Sequence, residues 1–253
     1  MNIDCPETSQ IPALRALWQE AFGDKDEFLD TFWEKAFCVD RCRCVTVDHT
    51  LAAALYWFDC EYLGEKIAYL YAVATAKAFR GKGICRTLME NTHAHLVALG
   101  YQGAVLVPGS EALFSMYRNM GYENCGQIRE FTCAAAEDHI YLQSIDPVQY
   151  GVLRRTLLPQ NAVVQEGENL DFLQSQAAFY AGADFLLAAR REGNVLQGIE
   201  LLGNAAAAPG ILRTLGCESG TFRIPGEGRP FAMYYRLGTY DLPAPEYFGI
   251  AFD

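Results

Sequence analysis

No apolar run in this 253-residue sequence reaches the ~18 residues that a membrane-spanning helix needs. LAAALYWF is too short, and Asp184 interrupts AAFYAGADFLLAA. The start, MNIDCPETSQ, is polar and acidic and lacks the basic-then-apolar order of a secretory leader. The expectation is a cytoplasmic protein without a membrane partner. Positive charge is also scarce: 20 Lys and Arg stand against 31 Asp and Glu, a net charge of −11. Clustered cations able to neutralise a phosphate backbone are missing, which argues against nucleic acid as a main partner. All five lysines lie at or before Lys82, so the second half is cationic only through arginine. No low-complexity linker divides the chain, and its two parts are expected to pack closely.

Nine cysteines are an odd number, and without a leader they read as reduced thiols. The cluster CVDRCRC (Cys38, Cys42, Cys44) invites a zinc reading. No second ligand pair follows at a zinc-like spacing, so no metal is expected.

What is present is a half-apolar composition with clear periodicities. Leu14, Leu17, Trp18, Ala21 and Phe22, then Phe28, Leu29, Phe32, Trp33 and Phe37, recur at helical spacings and predict two amphipathic helices separated by Gly23 and Asp24. LAAALYWFDCEYL predicts a long strand, and the turn at Leu63 and Gly64 leads into KIAYLYAVAT, apolar on both faces and hence central. A glycine-rich stretch follows, then a helix carrying Ile84, Leu88, Met89 and Leu96 that stops at Gly100. GAVLVP predicts a short buried strand, Ser110 caps a helix over EALFSMYRNM, and IREFTCAAA predicts a further strand. Beyond residue 137 the pattern weakens. DFLLAARREG, NVLQGIELLG, GTFRIPG, PFAMYYRL and YFGIAFD predict strands and PGILRTLG a helix, an echo of the first half without its glycine loop. The boundary is expected in AAAEDHIYL, giving domains 1–137 and 138–253.

The stretch AFRGKGICRTLM sets two glycines and three cations before a helix. A Walker loop requires Gly-Lys followed by Ser or Thr, and here Lys82 precedes the second glycine with no hydroxyl after it. A Rossmann fingerprint requires glycine where Arg86 stands, and an acidic residue some twenty positions on that QGAVL does not offer. The pattern that fits is a pyrophosphate loop for an acyl-coenzyme A: strand, irregular segment, Arg-x-x-Gly-x-small, helix. Glycines let main-chain amides approach phosphates, and the helix N-terminus adds favourable partial charge.

On these residues the sequence resembles the GNAT superfamily of N-acetyltransferases. LYAVATAKAFRGKGICRTLM is similar to that family's strand, loop and helix; LVPGSEALFSMYRNMGYE is similar to its next strand and helix, with the Tyr-x-x-x-Gly-aromatic signature at Tyr117, Gly121 and Tyr122. The resemblance covers roughly residues 10 to 135. Within the superfamily, GICR and SEALFSMY look most like the multi-domain enhanced-intracellular-survival type, which acetylates amines of aminoglycosides. The resemblance implies an α/β GNAT fold with a mixed, centrally splayed sheet. The remainder is read as a smaller C-terminal α+β domain, for which a degenerate GNAT-like copy is one reading.

By the same resemblance Val73, Ala74 and Thr75 meet the pantetheine arm of acetyl-CoA, Arg80, Gly81, Lys82, Gly83, Ile84, Cys85 and Arg86 cradle its pyrophosphate, and Ser110 with Glu111 lie along it. Cys85 stands where most of the superfamily has Gly or Ala; a tolerated small residue is the plain reading, a thiol activated by the helix N-terminus the sharper one. The implied reaction is attack of a primary amine of a small molecule on the thioester, with a main-chain amide near Val73 as oxyanion donor and Tyr117 as the general acid that protonates the leaving thiolate. The base is open: Asp59, Glu61, the terminal carboxylate at Asp253, and water are the candidates. The aromatic first helices are expected to roof the acceptor cleft, with Trp18, Phe22 and Trp33 mainly in the core. A protein or peptide N-acetyltransferase, and an acyl-CoA-binding sensor without turnover, are the rival readings. A homo-oligomer is left open.

Overall fold

The computed structural model describes residues 1–238 and 242–252. Its first half runs β1 (Asn2–Asp4), α1 (Ile11–Phe22), α2 (Asp26–Lys35), β2 (Cys42–Val47), β3 (Thr50–Tyr62), β4 (Glu65–Thr75), α3 (Ile84–Ala98), β5 (Gly103–Leu106), α4 (Glu111–Arg118) and β6 (Glu123–Ala134). Three of these helices are bounded by local signals. Gly23 closes α1 in the left-handed region at φ 77°, Ser110 Oγ accepts from the Leu113 amide at the start of α4, and the turns after α3 and α4 contain Gly100 and Gly121 at φ 85° and 95°.

The second half runs β7 (Gln143–Ile145), α5 (Pro147–Leu157), α6 (Glu168–Gln174), β8 (Ala178–Ala181), β9 (Phe185–Glu192), β10 (Val195–Gly203), α7 (Ala208–Leu215), β11 (Ser219–Pro225) and β12 (Arg229–Arg236). All twelve strands form one sheet in the order β1-β2-β3-β4-β5-β12-β6-β11-β10-β9-β8-β7. From either edge three antiparallel pairings are followed by one parallel pairing, β4 with β5 and β10 with β11. The last strand of each half crosses over: β12 pairs with β5, β6 pairs with β11, and the two crossed strands pair with each other at the centre. The sheet is therefore continuous across residue 137, and the first half takes one of its strands from residues 229–236.

Three apolar clusters cover the sheet. Alternation along β3 sends Tyr56, Phe58, Cys60 and Tyr62 to the face covered by α1 and α2, and Leu55 and Trp57 to the face covered by α3 and α4. The first cluster is shared by both halves, from Leu14 and Phe32 to Phe172, Phe248 and Phe252. Trp18 packs on Phe32 at 4.6 Å between ring centroids, and Phe252 on Phe58 at 4.8 Å. Burying a side chain such as Phe32 is worth about 1.5–3 kcal/mol, so this face holds the halves together. The third cluster lies under α7 and is built on Leu187, Leu201, Ile211 and Phe222.

YFGIAFD departs from its expectation. Its residues 247–252 are not a strand: apart from one isolated bridge between Ala162 and Tyr247 they run irregularly. Side chains take up its main-chain polar groups instead, Gln165 at Ile250 and the Tyr71 hydroxyl at Phe252. Cys42 and Cys44 lie buried on β2, where burial raises both thiols, Cys44 to about 11.

Candidate acetyl-transfer site

The site begins where two parallel strands separate. β4 and β5 are in register only at Ile67 with Gly103, Ala68 with Ala104 and Tyr69 with Val105. Past that point β4 continues to Thr75, while the chain leaves β5 at Leu106 and turns through Val107, Pro108 and Gly109. On its other side β4 carries one extra residue against β3, because Ala54 faces Ala74 but Tyr56 faces Tyr71. The surplus sits at Ala72, whose φ of 49° is left-handed. That conformation costs a non-glycine residue on the order of 1 kcal/mol, and bulges of this kind re-aim the backbone beside active sites.

The gap opens into a cavity of about 780 Å³. Its floor is β4 from Tyr69 to Val73, and one wall is Leu106 through Ser110 with Leu113 and Tyr117 of α4. α1, α2 and the turn between them contribute Trp18, Phe22, Asp24 and Phe28. The second half lines the far side with Gln176, Arg190, Arg229, Phe231, Ala251 and Phe252. Asp24 is held by the Trp18 indole, whose Nε1 donates to Oδ2 at 2.8 Å. Tyr117 is buried, set edge to face with Tyr122 at 5.7 Å. Burial pushes its phenol well up, and the nearby Cys85 adds to the rise, so it carries its proton at neutral pH.

Beyond β4 the chain passes through Lys77–Phe79 and enters the glycine loop. Gly81 and Gly83 both have positive φ, 73° and 78°, and a Cβ at either would meet nothing within 4 Å. Backbone conformation, rather than crowding, is what requires glycine here. The first amides of α3 point out of the helix end with no partner of their own turn. Cations rim this end and are steadied by carbonyls: Arg80 Nε on Thr75 O at 3.0 Å, Lys82 Nζ on Ala78 O at 2.9 Å, and Arg86 on Asn119 O at 3.0 Å. Exposed donors, helix end and three cations form a donor set suited to a diphosphate.

Of the residues read from sequence, Val73, Ser110 and Tyr117 line the cavity. Arg80 through Arg86 form the loop at the start of α3, while Ala74 and Thr75 lie on β4 between cavity and loop, in register with Ala54 and Ala53. Glu111 is exposed in the first turn of α4 and is absent from the cavity lining. Cys85 corrects the sharper reading of its thiol: burial raises it, against opposing effects from a hydrogen bond with Thr75 and from Arg86.

Asp59 and Glu61 do not reach the cavity. They face Ala68 and Lys66 across β3 and β4, at the end of β4 remote from the bulge. Asp59 accepts from Tyr101 and faces Lys66 Nζ at 3.4 Å; Glu61 faces Arg155 at 3.2 Å. Asp253 lies outside the described residues. Asp24, Tyr71 and the whole far wall were not singled out in the sequence; an acid after a helix-ending glycine has the look of any solvated turn.

A bulged central strand, a splay beside it and a glycine loop leading into a helix define an α/β protein of the GNAT fold. The family model described as acetyltransferase (GNAT) domain matches residues 2–125, so this part of the chain carries a GNAT domain. Solved structures share the fold over nearly the whole length. A GCN5-related N-acetyltransferase from Kribbella flavida superposes with a TM-score of 0.72 at 16% identity, over 93% of this chain and 71% of that one. One from Anabaena variabilis gives 0.71 at 14%, over 94% and 73%. Eis1 from Mycobacterium abscessus gives 0.68 at 10%, over 94% and 74%. No curated protein matches in sequence.

Proposed function

We propose that the protein is an acetyl-CoA-dependent N-acetyltransferase acting on a primary amine of a small molecule, by direct attack in a ternary complex. The observation that carries this reading is the alignment along one strand of a splay with Tyr117 beside it and, past the end of β4, the left-handed glycines Gly81 and Gly83 at the start of α3. Bound acetyl-CoA supplies the activated acetyl carbonyl. The amides of Gly83 to Arg86, with Arg80, Lys82 and Arg86, hold its diphosphate; β4 from Val73 to Thr75 guides the arm between loop and cavity. A main-chain N–H near Val73 donates to the carbonyl oxygen as charge develops on it, an effect typically worth about 10²- to 10³-fold in rate. Tyr117, kept protonated by burial, gives its proton to the departing sulfur.

On the acceptor side, Asp24 is the carboxylate that attracts the incoming ammonium, and aromatic walls from Trp18, Phe28 and Phe231 pack on the amine's carbon skeleton. Water carries the ammonium proton away. The second half, residues 138–253 in this reading, serves as the acceptor wall. Acetyl-CoA at about a hundredfold above Kd stabilises the fold by roughly 2.7 kcal/mol, a rise in Tm of about 5 °C or more for a chain of this size. No shift at millimolar acetyl-CoA overturns the reading; a shift with no thiol release across primary amines leaves the sensor in its place.

A further inference from the structure

The second half repeats the strand order of the first, and the counterpart of the cavity is treated differently. β10 stays with β11 from Val195 to Gly198, then shifts register against β9 between Gly198 and Glu200, the sheet position that the Ala72 bulge occupies on β4. Here the chain's own segment 245–252 meets both sides of the gap. Gly126 and Gln127 of β6 donate to the carbonyls of Pro245 and Glu246 at 2.9 and 3.0 Å, just past the point where β11 ends at Pro225. On the β10 side, the Tyr247 hydroxyl donates to Glu200 Oε1 at 3.0 Å, and a Cβ on Gly249 would collide with that same oxygen.

Glu200 is fully buried and fully engaged. Arg154 donates Nε to Oε2 at 2.7 Å and Nη2 to Oε1 at 2.9 Å, and the Tyr150 hydroxyl donates to Oε2 at 2.8 Å. One residue past Gly249, buried Gln165 brackets Ile250: Nε2 donates to its carbonyl at 2.8 Å, and Oε1 accepts from its amide at 3.3 Å. The segment then leaves the second repeat and enters the cavity of the first, where Ala251 and Phe252 form part of its lining and the Tyr71 hydroxyl donates to the Phe252 carbonyl at 3.0 Å.

We propose that Glu200 and Gln165 are positioning residues for the acceptor wall: they anchor the segment in the second repeat's gap so that Phe252 stands against the amine in the first. The inference rests on the acetyltransferase reading above. A side-chain amide spent on both main-chain polar groups of one residue, and a carboxylate with no space for a methyl group beside it, fix the segment along its length as well as against the core. Two residues upstream of the cavity the chain has no freedom to slide, so the wall is preorganised before the amine arrives.

The test uses the full chain with 2-phenylethylamine and kanamycin as acceptor probes and thiol release as the readout. Gln165→Leu keeps the volume and removes both anchors of Ile250; Gly249→Ala pushes the segment off Glu200. Each is expected to raise KM for the better probe tenfold or more, with kcat within threefold and KM for acetyl-CoA within twofold of wild type. A merely structural defect lowers the active fraction and so kcat, without that split. Unchanged acceptor KM in both variants overturns the proposal, as does a parallel loss of the acetyl-CoA shift in Tm. A wild type that acetyl-CoA stabilises but that acetylates neither probe also overturns it. A wild type that acetyl-CoA does not stabilise fails at the earlier step, the acetyltransferase reading itself.

Discussion

His93 Nε2 and the Tyr122 hydroxyl share a hydrogen bond of 2.7 Å in the core between α3 and the sheet, with the His93 ring stacked on Tyr235 at 4.2 Å. Burial pushes His93 down to about 4. Between about pH 6.5 and pH 4 the unfolded chain therefore binds a proton that the folded chain refuses, and stability falls as pH falls through this window. The contribution is complete above pH 6.5; at pH 5 about 2 kcal/mol of it is lost. Urea unfolding of wild type and His93→Gln at pH 7 and pH 5 checks this: the variant is expected to lose less stability than wild type by about that amount, and equal losses refute it.

Tyr117 lies beside the cavity in a buried neighbourhood that keeps its phenol neutral. Tyr117→Phe removes the proton donor and leaves the ring packed against Tyr122. Turnover is expected to drop tenfold or more while the acetyl-CoA-induced rise in Tm stays within about 1 °C of wild type. Unchanged turnover removes Tyr117 from the proton transfer.

The glycine loop separates conformation from contact. A methyl group at Gly83 would touch nothing within 4 Å, yet φ is 78°. Gly83→Ala therefore strains the backbone by about 1 kcal/mol without filling space, and the chain relieves that strain by turning the first amides of α3 away from the diphosphate. Acetyl-CoA affinity measured by calorimetry is expected to weaken fivefold or more, with a modest fall in Tm. Wild-type affinity in this variant would mean that these amides do not bind the cofactor.

Much of the first half was legible because its signals are local. Helical spacing predicts α1 and α2, glycine and serine mark the ends of α3 and α4, and AFRGKGICRTLM carries its own turn chemistry. The Ala72 bulge was not, since alanine has no turn preference and YAVAT alternates like any buried strand; the surplus residue exists only relative to β3. PFAMYYRL is recognisable as a strand, but its place between β5 and β6 follows from long-range pairing that no window contains. YFGIAFD misleads for a related reason: its apolar residues are buried by both repeats, and side chains rather than a neighbouring strand satisfy its backbone. The far wall of the cavity was illegible for the same cause, because Gln176, Arg190 and Arg229 reach it from the second half.

The buried knot around Glu200 yields a prediction about stability distinct from its effect on the acceptor wall. Arg154 and Glu200 are both enclosed, and the carboxylate's three partners among the described residues are all donors, Tyr150 and Arg154 from α5 and Tyr247 from the segment that follows β12. Arg154→Met keeps much of the volume but leaves the carboxylate in a dry core with only the two tyrosine hydroxyls. Breaking one side of a buried ion pair typically costs about 3–5 kcal/mol, and the loss is expected in urea unfolding at pH 7. In a Glu200→Gln background, where no charge is stranded, the same Arg154→Met change is expected to cost less. An equal cost in both backgrounds would mean that it comes from lost packing and not from the uncompensated charge.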